Sequence, residues 1–203
     1  MIFVKDDFLS EPFELKRYLK DKKRNWYSDN SFSWPGERCY EIPEEIKNKI
    51  LNTAISITQD KTLSLDQINC HKISSKDTHI GWTHYDEEYK YAAVLYLSLE
   101  IDRNSGTELY NYYWETDYLN KVKEFRGVRK LFLKSGYKNF ITRILYKLSC
   151  NKFNNFFNKK DIITIGYKFN RFVLYEAKRL HRPKKILSSK EDGFRTNIVA
   201  FFK

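Results

Sequence analysis

The 203-residue sequence predicts an α+β domain built on an antiparallel β-sandwich, with its helices ahead of most of its strands. Three observations predict it. Apolar residues recur at helical spacing before residue 60, short apolar runs parted by turn residues follow, and one basic, helix-patterned stretch interrupts those runs. A chain of this length buries a full core as one domain without covalent staples.

Ile2-Phe3-Val4 reads as a short strand. A helix follows, with Ser10 as its expected N-cap, Glu11 and Pro12 suited to the first turn, and Phe13, Leu15, Tyr18 and Leu19 as its apolar face. Trp34-Pro35-Gly36 reads as a turn. Pro43 then opens a stronger helix. Glu44 and Glu45 suit the positive end of its dipole, and Ile46, Ile50, Leu51, Ala54 and Ile55 form its stripe.

Beyond Asp60, Leu63, Leu65, Ile68 and Ile73 lie among polar residues, and the run from Tyr91 to Leu97 reads as a strand buried on both faces. Ser105-Gly106-Thr107 makes a turn into a strand at Glu108-Leu109-Tyr110. The stretch from Asp117 to Leu148 is helix-patterned, its Leu119, Val122, Phe125, Leu131, Ile141, Ile144, Leu145 and Leu148 interleaved with basic residues. Strands at Ile162–Ile165 and Phe172–Tyr175 flank a turn at Lys168–Arg171, and Phe194–Phe202 is the last strand. The chain therefore divides, within a single domain 1–203, into supporting helices (1–60), two sandwich halves (61–110 and 161–203) and a mostly helical basic insertion (111–160).

Composition narrows the function classes. With 41% hydrophobic and 17% aromatic residues the chain is not disordered. No apolar run approaches the ~18 residues that span a bilayer. The N-terminus turns acidic at Asp6-Asp7 before the core of a signal peptide could form. Cys39, Cys70 and Cys150 are widely spaced and lack a CxxC pair, so neither a disulfide framework nor a zinc knuckle is expected, and a reducing, cytoplasmic setting fits.

The formal charge of +11 invites a nucleic-acid reading until it is located. Residues 118–160 hold twelve Lys or Arg against the single acid Glu124, which accounts for the whole excess. No nucleic-acid motif accompanies them, so a nucleic-acid partner is not expected. The segment is instead expected to border a pocket, as a lid or as an attractor for an anionic substrate or carrier.

Four histidines are present: His71, His79, His84 and His181. His84-Tyr85-Asp86 is an HxD, and on an extended strand i and i+2 share a face, so imidazole and carboxylate can grip one ion. A second His completes a two-His, one-carboxylate triad, which leaves ferrous iron with open positions. A structural zinc is wrapped by four ligands, usually including Cys. The pattern alone is weak, because four histidines among 26 acids yield an HxD or HxE by chance roughly half the time. Ordered context strengthens it. The HxD precedes a doubly buried strand and the Ser-Gly-Thr turn, His181 follows a later strand, and Arg195 lies inside the apolar last strand. A guanidinium there needs a partner, and a ligand carboxylate offers bidentate geometry.

With His84-x-Asp86, Tyr91 to Leu97, Ser105-Gly106-Thr107, His181 and Arg195, the chain from about Asn69 to Phe202 resembles the Fe(II)- and 2-oxoglutarate-dependent dioxygenases of the prolyl-hydroxylase-like kind, nearest to small bacterial and phage proteins. The resemblance implies a double-stranded β-helix, a jelly-roll (cupin-like) core, with the metal at its open mouth. It implies that His84, Asp86 and His181 bind Fe(II), that Arg195 pairs with the C5 carboxylate of 2-oxoglutarate, and that Tyr96 sets its hydroxyl against that carboxylate. It further implies use of O2 to hydroxylate a substrate C–H bond, with release of succinate and CO2.

Departures from the pattern stand beside it. Asn197 occupies the third position of an Arg-x-Ser element, Phe201 stands where nucleic-acid demethylases carry a second Arg, and Ser105-Gly106 replaces a double glycine. Other roles stay open at this stage: His71 or His79 as the second His, Glu176 as an ion-pair partner of Arg195, Tyr96 as plain core, Trp82 or Tyr85 facing the pocket, and Trp26, Trp34 and Arg38 at its rim. Two other functions compete with the oxygenase, a non-catalytic jelly-roll binding protein and an anion- or nucleic-acid-binding protein acting through the basic insertion.

Overall fold

A computed structural model describes residues 1–21, 23–28, 36–74, 81–99, 102, 104–111, 116–134, 140–157, 162–184, 189–190 and 193–203. In chain order its elements are β1 (Ile2–Lys5), α1 (Pro12–Lys20), β2 (Tyr27–Ser28), β3 (Glu37–Cys39), α2 (Glu44–Thr58), β4 (Leu65–Ser74), β5 (Tyr91–Tyr96), β6 (Gly106–Tyr110), α3 (Thr116–Lys134), α4 (Phe140–Phe157), β7 (Ile162–Gly166), β8 (Phe172–Glu176), β9 (His181–Pro183) and β10 (Phe194–Phe202). Seven strands form one sheet in the order β1-β8-β5-β10-β4-β3-β2, and three form a second, β7-β6-β9. Every pairing within them is antiparallel. The mixed helical and antiparallel class read from the sequence is the class observed.

The period-two alternation of the central strands divides the interior into two layers. Ala93 and Leu95 of β5, Phe172 and Leu174 of β8, and Ile198, Ala200 and Phe202 of β10 pack against Leu15 and Leu19 of α1 and Ile46, Ile50 and Ala54 of α2. The opposite faces of the same strands send Val94, Tyr96, Val173 and Tyr175 toward Leu109 and Ile165 of the smaller sheet and Tyr167 just beyond β7. Both faces of β5 and β8 are therefore apolar, which is why these runs lack the apolar–polar alternation of a half-exposed strand.

Two expectations need correction. The residue at the N-cap of α1 is Glu11 rather than Ser10, and no side-chain cap bond forms. Tertiary contacts set the entry to this helix instead: Asn170 accepts from Leu9 N through Oδ1 (2.9 Å) and donates from Nδ2 to Leu9 O (2.8 Å). The basic insertion is two helices, and the second runs past Leu148 to Phe157. Its buried face is Tyr146, Cys150, Phe153 and Phe157, whereas Ile141, Ile144, Leu145 and Leu148 are exposed. The aromatic residues Phe125 and Phe153 stack across α3 and α4 at a centroid separation of 4.2 Å. The turn expected at Trp34-Pro35 and the alternative ligand His79 lie outside the described residues, as does the side chain of Leu131. Among the described residues, no helix is long and apolar enough to cross a membrane.

β1 is held at the sheet edge by charge as well as by its ladder. Asp6 accepts from Arg171 Nε (2.6 Å) and Nη2 (3.1 Å) and from Lys168 Nζ (3.0 Å). The Arg171 hydrogen bond, working against the cost of burial and aided by Lys168, holds the Asp6 carboxyl down at about 2. A carboxylate depressed in the folded state stabilises above its unfolded value of ~3.9, and that contribution is lost as pH falls toward the folded value. The pair is partly exposed and therefore weak. Asp6→Asn is expected to lower Tm by about 1–3 °C at neutral pH in a thermal melt, with the gap closing as pH approaches 2. A gap of constant size down to that pH would assign the effect to something other than this ion pair.

Candidate metal centre

His84 and His181 face each other as an isolated antiparallel bridge between the two ends of the sandwich. They exchange both backbone hydrogen bonds, His84 N to His181 O (2.9 Å) and His181 N to His84 O (2.8 Å). Two residues on, Asp86 N donates to Ala177 O (2.8 Å), so the HxD segment is tied to the β8–β9 connection at two points. Residues 97 apart in sequence are thereby held side by side, with ring centroids 4.3 Å apart.

The ring orientations follow from two backbone carbonyls. Nδ1 of His84 lies 2.8 Å from Trp82 O and Nδ1 of His181 lies 2.7 Å from Arg179 O. A carbonyl can only accept, so each neutral ring carries its proton on Nδ1 and presents Nε2 as the lone-pair nitrogen. His181 Nε2 sits 3.3 Å from Asp86 Oδ2. Burial pushes the Asp86 carboxyl up, but when the imidazoles carry a second proton, on Nε2, the His181 hydrogen bond and the charges of His181, His84 and Arg126 outweigh it, so the carboxyl is held below its usual range. One donor atom from each of His84, Asp86 and His181 lies within 4.8 Å of the others. Two imidazole nitrogens and one ionised carboxylate oxygen, oriented by carbonyls behind them, are a donor set that fits a divalent transition metal and leaves coordination positions for other ligands.

The cluster opens on a cavity of about 160 Å³ whose lining includes Asn69, His71, Thr107, Tyr175, Arg195 and Asn197. These residues are sorted by the pleat. Alternate residues of β4 and β10 (69, 71, 73 and 195, 197, 199, 201) face the cavity, and their neighbours Cys70, Ile198, Ala200 and Phe202 face the helices. Arg195 is 3% exposed. Its guanidinium donates to Gly106 O (3.3 Å) and lies 5.2 Å from the Tyr167 ring centroid. With its amide oxygen turned toward it, Asn197 accepts from Arg195 Nε (3.2 Å). The Asn at the third position of the Arg-x-Asn element therefore orients the guanidinium. Gly106 is required here, since at φ 131° a Cβ would lie 2.0 Å from Ile165 O.

The other candidates sort as follows. Tyr96 is fully buried, with its hydroxyl 2.7 Å from Thr107 Oγ1, and Thr107 is the member of that pair that lines the cavity. Burial pushes the Tyr96 phenol up, so it stays neutral. His71 lines the cavity but is not part of the donor cluster. Glu176 pairs with the N-terminal amine (2.7 Å) and with Arg179 (3.5 Å). Neither Trp82 nor Tyr85 lines the cavity. Both pack on the insertion with Val122 and Phe125. Tyr85, next to a cavity-facing His84, must point the other way, whereas Trp82, two residues before it, is held by ring contacts with Phe125 and Phe153. Arg38 lines the cavity and Trp26 does not, while Trp34 lies outside the described residues. Among the cavity-lining residues, Asn69 and Arg182 were not singled out from the sequence, and Thr107 only as part of the Ser105-Gly106-Thr107 turn; the signal for Asn69 was its parity with His71 on β4.

Solved structures share this architecture. A 2OG-Fe(II) oxygenase family oxidoreductase from Burkholderia pseudomallei aligns at a TM-score of 0.59 over 100% of this chain and 85% of its own, at 6% identity. HygX from Streptomyces hygroscopicus, crystallised with nickel, 2-oxoglutarate and hygromycin B, aligns at 0.58 over 99% and 82%, at 8% identity. The fold is that of the 2OG-Fe(II) oxygenases. The carbocyclase SnoK of nogalamycin biosynthesis, non-heme and alpha-ketoglutarate dependent, shares the oxygenase fold at 0.58, over 99% and 78% and 9% identity. No protein-family model matches the sequence, and neither does any curated protein.

The insertion supports this oxygenase fold from behind the HxD. Asn154 of α4 accepts from Thr83 N through Oδ1 (3.0 Å) and donates from Nδ2 to Gly81 O (2.8 Å). Arg126 Nη2 of α3 donates to Tyr85 O (2.6 Å). Asn154→Ala leaves a buried N–H and C=O without partners next to His84. It is expected to cost about 1–3 kcal/mol in chemical denaturation. Calorimetric titration with Ni(II) should show about tenfold weaker binding, the usual effect of losing a group that supports a metal ligand. Unchanged metal affinity in a destabilised variant would confine Asn154 to a packing role.

Proposed function

We propose that the protein is an Fe(II)- and 2-oxoglutarate-dependent oxygenase that hydroxylates a C–H bond of its substrate. The observation that carries this reading is the convergence of His84, Asp86 and His181 on the cavity that also buries Arg195. The two sheets are read as the halves of a double-stranded β-helix within a single domain 1–203, and the protein as cytoplasmic. His84, Asp86 and His181 hold the iron, which, when bound with 2-oxoglutarate and O2, supplies the oxidising power to cleave a C–H bond as succinate and CO2 are released.

The chain's own residues do the rest. His84 and His181 keep Nε2 aimed at the ion because their Nδ1 protons are engaged by Trp82 O and Arg179 O. Arg195, aligned by Asn197 and desolvated on the tyrosine faces, binds the C5 carboxylate of 2-oxoglutarate. Tyr96 serves through Thr107, whose hydroxyl it fixes from beneath the cavity wall. Arg38 adds a further guanidinium to the lining, which suits a substrate bearing negative charge.

Under anaerobic conditions, Fe(II) and 2-oxoglutarate together are expected to give a charge-transfer absorption in the visible range. In air, the protein should consume 2-oxoglutarate slowly without substrate. His84→Ala and Asp86→Ala should abolish both signals, and Arg195→Met should raise the KM for 2-oxoglutarate by about a hundredfold. Absence of the absorption band in folded wild-type protein refutes the reading.

A further inference from the structure

Helix α4 is apolar on two opposite sides. One side, Tyr146, Cys150, Phe153 and Phe157, is buried against α3 and the HxD segment. The other carries Ile141, Ile144, Leu145 and Leu148 at i, i+3, i+4 and i+7, a single strip along the helix. These four are 62%, 41%, 48% and 59% exposed, and Phe156, on the same face beyond Lys152, is 40% exposed. Single exposed apolar residues are ordinary, but five large ones on one helix face are not.

The strip lies within the segment that holds the protein's entire charge excess. Residues 118–160 carry twelve basic residues and one acid, and α4 itself has no acidic residue. Lys123 and Lys130 of α3 and Lys147 and Lys152 of α4 are exposed. A nucleic acid would reward the lysines but not the row of isoleucine and leucine. A second copy of the chain would bring the same basic segment against this one, since a two-fold interface pairs like with like. An anionic bilayer offers what both features need, acidic headgroups for the lysines and acyl chains a few ångströms below for the strip.

We propose that α4 is an interfacial helix that docks the protein on anionic lipid membranes, its Ile141/Ile144/Leu145/Leu148 strip entering the headgroup boundary and the flanking lysines pairing with lipid phosphates. The helix lies on the membrane and does not cross it, in keeping with its length and charge. This docking is independent of the chemistry at the metal centre. It puts the module that braces the HxD segment at the lipid surface, because the buried face of α4 packs on Trp82 and its Asn154 holds residues 81 and 83.

The test is co-sedimentation of the full chain with vesicles of phosphatidylcholine alone or mixed with phosphatidylglycerol, over a range of salt. Wild-type protein is expected to bind the mixed vesicles and not the neutral ones. Leu145→Ser/Leu148→Ser, which leaves the charge untouched, should weaken binding at least about tenfold. Lys147→Gln/Lys152→Gln should weaken it by about thirtyfold at low salt, at about fivefold per lysine. All four positions are exposed, so an unchanged Tm is the control for folding. The proposal is overturned if wild-type protein ignores anionic vesicles, if the serine variant binds them as well as wild type, or if sedimentation velocity shows a dimer that the serine variant abolishes.

Discussion

The pair of hydrogen bonds between the backbones of His84 and His181 is the constraint on which the site depends. Neither residue sits in the interior of a long strand, and their segments lie 97 residues apart in the chain. Opposed residues that exchange both bonds are held with Cα atoms about 5.5 Å apart, close enough for their side chains to meet. Once this bridge forms, Asp86 is delivered two residues later on the same side, and its own N–H is secured by Ala177 O. The carbonyls of Trp82 and Arg179, each two residues before its histidine, then choose the ring nitrogen that faces inward. A three-residue donor set thus follows from backbone pairing alone, before any ion is considered.

The second ordering device is the pleat. On β10 the residues alternate between a guanidinium-bearing inner face and an apolar outer face, so Arg195 and Asn197 reach the cavity while Ile198 and Ala200 seal the helical layer. A one-residue slip would bury Ile198 in the cavity and drive Arg195 into the α1–α2 core, at a desolvation cost no register could sustain. Tyr96 and Tyr167 stack at 4.3 Å between centroids beneath Arg195 and supply the polarisable floor that lets a 3%-exposed cation persist. The same argument explains why Tyr85 turns away from the cavity: the parity that delivers His84 inward sends its neighbour outward, where the insertion covers it, while Trp82, of the same parity as His84, is held by its ring contacts with Phe125 and Phe153.

Much of this was legible in the residue pattern. The helical stripe of α2, the doubly buried β5, the turn before Gly106 and the last strand are all where the spacing of apolar residues puts them. The three clustered residues were legible only through the ordered context around the HxD, since that pattern alone is weak and His71 and His79 competed with His181. The cavity roles of Asn69 and Arg182 were not, since a polar residue on a strand has no local mark that distinguishes a cavity wall from solvent. The N-cap at Glu11 was missed for a related reason: Asn170, 159 residues away, does the work that a local Ser10 cap would have done.

The insertion separates what the two levels of description decide. Its charge and its helical pattern are properties of sequence, because charge is a count and helical spacing is local. Which of its two apolar faces is buried is not local. Tyr146, Cys150, Phe153 and Phe157 meet Phe125, Trp82 and Tyr110 only after the sandwich has closed, and that packing leaves Ile141 to Leu148 outside. The sequence by itself determined the class of the fold, the candidate donor residues and the whereabouts of the charge. Only the tertiary structure decided that the donors converge, that Thr107 rather than Tyr96 lines the cavity and that α4 presents a greasy face to its surroundings. Convergence and burial depend on contacts between residues far apart in the chain, and no local pattern encodes which of two equally apolar faces those contacts will claim.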